Sequence, residues 1–221
     1  MSAFLKVIRF LLSLVIIPVC VITTINFYDW VSRIKGVRDT GFIFILGAFC
    51  YCAVHLILFK LDFLYILGHE SMHAIATLFS GGKVLGMKVS SKEGSVKTTT
   101  PNTIVTLAPY ILPGYTILIG VIYFILSFFM DTSNYINIFI FLIGFTLMFH
   151  LAYTAQSIRE KQSDLLKTGY LFSISFIYLV NIISVFFIIS LFFNELIFSD
   201  FIRASYEGSR DFYYGLFEQV F

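Results

Sequence analysis

The chain has 221 residues, 58% of them hydrophobic and 13% charged, with 27 Phe and a mean hydropathy of +0.90. One water-soluble core of this size cannot hide so much apolar surface, which excludes an ordinary soluble domain and points to an integral membrane protein. A net charge of +2, with its basic residues scattered through short connections, leaves no footprint for nucleic acid, and no nucleic-acid partner is expected.

Lys6 and Arg9 precede an apolar stretch running to about Phe27, longer than a signal-peptide core and with no small-residue cleavage site after it. A retained first transmembrane helix is expected. Apolar segments near the ~20 residues that a bilayer requires follow at Gly41–Phe59, Phe63–Phe79, Ile104–Met130, Tyr135–Ser157 and Tyr170–Phe193. The predicted fold class is therefore an all-α polytopic membrane protein of about six transmembrane helices, forming a single domain over residues 1–221. Cys20, Cys50 and Cys52 all lie in apolar runs, so they read as buried thiols rather than a disulfide framework. Ten of the fifteen Lys and Arg fall in the first (Arg33, Lys35, Arg38), third (Lys83, Lys88, Lys92, Lys97) and fifth (Arg159, Lys161, Lys167) connections. The positive-inside rule places these connections in the cytosol and both termini outside, although Lys6 and Arg9 pull the other way.

Within the third segment the chain reads GHESMHAIATLFSGG. On a helix, His69 and His73 share one face a turn apart, the spacing that lets two imidazoles bind one metal. Glu70 lies about 100° around from His69, where a carboxylate reaches a water at the metal without occupying a ligand position. H-E-x-x-H is the zincin arrangement, and Zn2+, one per chain, is the expected cofactor. Three ionisable groups within five residues of an apolar helix would each cost a few kcal/mol unless bound to something, which weighs against mere interhelical packing.

Gly81-Gly82 ends that helix. The alternation in K-V-L-G-M-K-V-S, a turn at Ser91–Gly94 and the Val- and Thr-rich Ser95–Thr100 then predict a small β-hairpin over about 83–100. Such a hairpin offers an edge to which an extended peptide adds as a strand.

An H-E-x-x-H inside a membrane helix, followed by G-G-K-V and a short hairpin, resembles the site-2 protease family of intramembrane zinc metalloproteases. The resemblance is specific over Gly68–Thr100. It implies hydrolysis of a peptide bond in or near a transmembrane segment of a membrane-protein substrate, close to the cytosolic face, with Glu70 as the catalytic base. It also implies that the third metal ligand is an aspartate at the start of a later helix, and the matching position is Asp164, in Q-S-D-L-L-K-T-G. Leu165 stands where the family pattern has Gly, and no Asn-Pro precedes. His73 lies ~10 Å short of the cytosolic end of its helix, on the same side as Asp164. His150, ~12 Å deep from that side, is the alternative ligand or a donor to the developing oxyanion.

The expected partners are thus a membrane-protein substrate and the lipid bilayer. Substrate-binding residues and any regulatory membrane partner are not legible. Pro109 and Pro113 should kink or interrupt the fourth helix, Asn181 should make an interhelical contact, and His55 reads as structural. Two other functions remain open: a catalytically inactive membrane adaptor of the same shell, and, less well supported, a metal transporter.

Overall fold

The structure, a computed structural model, describes residues 3–36, 39–58 and 60–220. Arg38, counted above in the first connection, and Phe59, the expected end of the second span, lie outside the described residues. Among the described residues, four helices are long and apolar enough to cross a membrane: Phe4–Ser32, Asp39–Ile57, Ser133–Arg159 and Tyr170–Ser190. A bent pair, Thr103–Ile111 with Gly114–Leu126, meets the same test as a fifth, broken span. The expected third span, Phe63–Phe79, falls in an 18-residue helix, Asp62–Phe79, that is not in this set, because Asp62, His69, Glu70 and His73 dilute its apolar run.

The chain divides into two compact units, Met1–Gly41 with Gly169–Phe221, and Phe42–Thr168. In the first, α1 (Ala3–Ser32) packs against α8 (Tyr170–Ser190) and α9 (Phe198–Val220). Its core gathers Phe186, Phe193, Leu196 and Phe201, with Phe186 stacked on Phe201 at 3.9 Å. α9 follows the last expected span. It turns the small residues Ser205, Gly208 and Ser209 inward and carries the Arg203–Glu207 and Arg210–Asp211 pairs outside, a two-faced pattern that a search for continuous apolar runs passes over. Cys20 donates to the Ser175 carbonyl, and Asn181 donates to Ile177 of its own helix.

The second unit contains, from Phe42 onward, α2 (Asp39–Ala53, continuing as a π turn to Leu58), then α3 (Asp62–Phe79), strands β1 (Val84–Val89) and β2 (Gly94–Thr98), α4 (Thr103–Ile111), α5 (Gly114–Leu126), α6 (Ile136–Arg159) and α7 (Ser163–Thr168). The strands pair antiparallel, from Val84 opposite Thr98 to Val89 opposite Gly94, with a bulge between Val84 and Gly86. The hairpin falls where the alternation predicted it, and Ser90 closes its turn by accepting from the Glu93 amide. α4 and α5 meet at 73° across Leu112-Pro113, so the prolines interrupt the expected fourth span.

Small residues set a close helix contact in this unit. A Cβ on Gly47 of α2 would land on the Phe141 carbonyl oxygen of α6, and one on Gly144 of α6 on the Phe44 carbonyl oxygen of α2. The two backbones can touch only because both side chains are absent, the arrangement that favours helix association in lipid. Gly144→Val should therefore lower stability by at least about 1–3 kcal/mol, read as a fall in the thermal midpoint of the detergent-solubilised protein.

Candidate metal centre

α3 builds the first half of the site. Its end is closed by Gly81 at φ +74°, with the Gly82 amide donating to Thr77 and the Gly81 amide to Leu78, the left-handed helix stop anticipated from Gly81-Gly82. One turn apart on this helix, His69 and His73 bring their Nε2 atoms to 3.2 Å of each other. Each ring has a partner for its other nitrogen: His73 Nδ1 is 2.8 Å from the Val105 carbonyl oxygen, and His69 Nδ1 is 3.3 Å from the Tyr65 hydroxyl.

The Val105 partner has a cause in the sequence. Residue 109, four positions along α4, would normally donate its amide to that carbonyl, but Pro109 has none to give. The acceptor is left for His73, whose Nδ1–H fills it. A carbonyl can only accept, so the neutral His73 ring carries its proton on Nδ1 and turns a bare Nε2 lone pair into the site. Asn102 fixes the start of α4 by accepting from the Val105 amide at 2.8 Å.

Asp164 arrives from far along the chain. α6 ends in a turn whose Lys161 adopts φ 52°, with the Gln162 amide donating to Ser157 and the Lys161 amide to Ile158. This reversal starts α7, where Asp164 is the second residue. Its Oδ2 lies 3.3 Å from His73 Nε2 and 3.7 Å from His69 Nε2, while Oδ1 accepts from Lys167 Nζ at 3.0 Å. Burial works against the charge, and Lys167 Nζ, donating to Oδ1, supports it.

Could these residues hold a metal? Ligands at 2.0–2.1 Å on a tetrahedral zinc stand about 3.3 Å apart. The separations of 3.2, 3.3 and 3.7 Å match that triangle, and two imidazoles with one carboxylate are a zinc donor set. Among the described residues His69, His73 and Asp164 form the one such group, their ligand atoms all within 4.8 Å of one another. His150 is outside it. That residue is buried and lines an apolar cavity of about 310 Å³ with Met72, Pro109, Tyr115 and Phe149, and His69 borders this cavity too.

Glu70 borders a polar cleft of about 530 Å³ together with His69, His73, Asp164 and the hairpin residues Gly94–Val96. It is buried, and among the described residues nothing hydrogen-bonds to it or pairs with it. Gly94, the first residue of β2, roofs it: a Cβ there would sit 2.6 Å from Ile66 Cγ2 and 2.7 Å from Glu70 Cγ. Sequence reading passed over Tyr65, Ser157, Gln162 and Tyr110, which link by hydrogen bonds behind His69. Of these only Tyr65 carried a local signal, since it precedes His69 by four and so shares the ligand face of α3.

The chain matches no family model, no curated protein and no solved structure.

Gly94→Val should lift the hairpin from α3. The expected outcome is faster amide hydrogen exchange across 94–98 with the spanning helices unchanged, measured by mass spectrometry.

Proposed function

We propose that the protein is an intramembrane zinc metalloprotease of the site-2 type, which hydrolyses a peptide bond in or near a transmembrane segment of a membrane-protein substrate close to the cytosolic face. The observation that carries this reading is the convergence of His69 Nε2, His73 Nε2 and Asp164 Oδ2 at zinc-ligand spacing, with Glu70 beside them on the same cleft. In this reading α3 is a sixth crossing, whose polar residues are tolerated because they face the protein interior and a cation.

His69, His73 and Asp164 would hold the ion. When bound, zinc supplies a Lewis acid that polarises the scissile carbonyl and makes water acidic enough to ionise near neutral pH. Glu70, unpaired in the cleft, takes the proton of the attacking water and delivers it to the leaving amine nitrogen. The hairpin residues on the cleft hold the substrate backbone extended, because an intact helix keeps its carbonyls hydrogen-bonded and closed to attack. Lys167 keeps Oδ1 of Asp164 occupied, so this carboxylate presents only Oδ2 to the histidines.

Metal analysis of the purified, never-chelated protein should find zinc in the wild type and little in His73→Ala or Asp164→Ala. A wild type free of zinc overturns the metal reading. Glu70→Gln should retain zinc while cleavage of a membrane substrate falls by about 10²–10⁴-fold. Cleavage at the wild-type rate removes Glu70 from its role, and retained zinc with no product from any membrane substrate assigns the chain to the adaptor alternative.

A further inference from the structure

We infer that Ser157 and Tyr65 are positioning residues that fix which nitrogen of His69 carries its proton, and that Gln162 ties the same tyrosine hydroxyl to the segment bearing Asp164. The metal part of this inference rests on the proposed zinc site, whereas the proton part stands on the hydrogen-bond geometry alone.

Counting hydrogens gives the direction of each bond. Ser157 has one hydroxyl proton and donates it to the Tyr153 carbonyl of its own helix at 2.8 Å. Tyr65 lies 2.7 Å from Ser157 Oγ, which has only a lone pair left for it, so the Tyr65 proton points to Ser157. The Tyr65 oxygen is then an acceptor to its other neighbours. Gln162 Nε2 donates to it at 3.4 Å, and His69 Nδ1, at 3.3 Å, meets an acceptor and must supply the hydrogen. A neutral imidazole has one N–H, so His69 Nε2 is left bare and faces His73 Nε2 and Asp164 Oδ2. The second histidine is thereby set in the same tautomer that the Val105 carbonyl imposes on the first.

Two further contacts make the arrangement rigid. The Tyr65 ring stacks on Tyr153 at 4.4 Å and 8°, which fixes where its hydroxyl stands. Gln162 is held at both ends of its amide, since Oε1 accepts from the Tyr110 hydroxyl at 2.6 Å while Nε2 reaches Tyr65. Gln162 stands two residues before Asp164, directly after the left-handed Lys161 turn. The tyrosine that orients one ligand therefore also anchors the loop that delivers another. Outer contacts of this kind are worth roughly 10–100-fold in metal affinity.

The test uses Ser157→Ala, which deletes one oxygen from a buried position. Without that acceptor the Tyr65 proton turns to His69 Nδ1, and the His69 proton moves to Nε2. Nitrogen-15 NMR of the histidine-labelled, metal-free protein, which has 4 His to assign, reads the two forms directly. Wild type should show His69 protonated on Nδ1, Ser157→Ala should shift it toward Nε2, and Ser157→Thr, which restores a hydroxyl, should return the wild-type pattern. Zinc affinity by chelator competition should fall roughly 10–100-fold in both Ser157→Ala and Tyr65→Phe. An unchanged His69 signal in Ser157→Ala, or a wild type protonated on Nε2, overturns the inference. Wild-type protein that takes up no zinc overturns the metal reading instead, and the nitrogen spectrum still decides the relay.

Discussion

Three electron-rich atoms meet in the second unit of this protein: two imidazole nitrogens and a carboxylate oxygen, all within 3.2–3.7 Å of one another. Lone pairs so placed repel unless positive charge sits among them. Much of the local architecture serves to hold this arrangement. The i, i+4 spacing on α3 supplies two of the atoms, and the reversal after α6 supplies the third. Hydrogen bonds from behind fix the outer nitrogens of both rings, so that neither can rotate away to a different neighbour.

The parts of the fold that could be read in advance are those encoded by local spacing. His69, Glu70 and His73 fall on one helix because helical periodicity puts them there, Gly81-Gly82 stops that helix, and alternation marks the hairpin. Other elements depend on contacts that no short window contains. Asp164 is 91 residues from His73 and reaches it through a turn at a lysine, where glycine would be the ordinary residue. Only likeness to a family pattern singled it out, with Leu165 where that pattern has glycine. α9 escaped notice because its apolar residues are spaced around a helix, and continuous apolar runs were the signal for spans. Ser157 and Gln162 are ordinary polar residues until Tyr65 is brought against them.

Asp164 also shows how a carboxylate can be restricted to one role. Its two oxygens are chemically equal in the free side chain but have different surroundings here, one facing the histidines and one held by Lys167 at the exposed rim. That division limits the aspartate to a single contact on the site side.

Pro109 has a further consequence for how the molecule assembles. A helix entering hydrocarbon carries its own satisfied backbone, but α4 arrives with the Val105 oxygen lacking its usual donor, a deficit of a few kcal/mol in lipid. Inside α4 nothing can make this good at position 109. The neighbouring α3 can, through His73, so the unfilled acceptor of one helix is met by a side chain of the next. One histidine thus both faces the site and completes the backbone of the helix beside it.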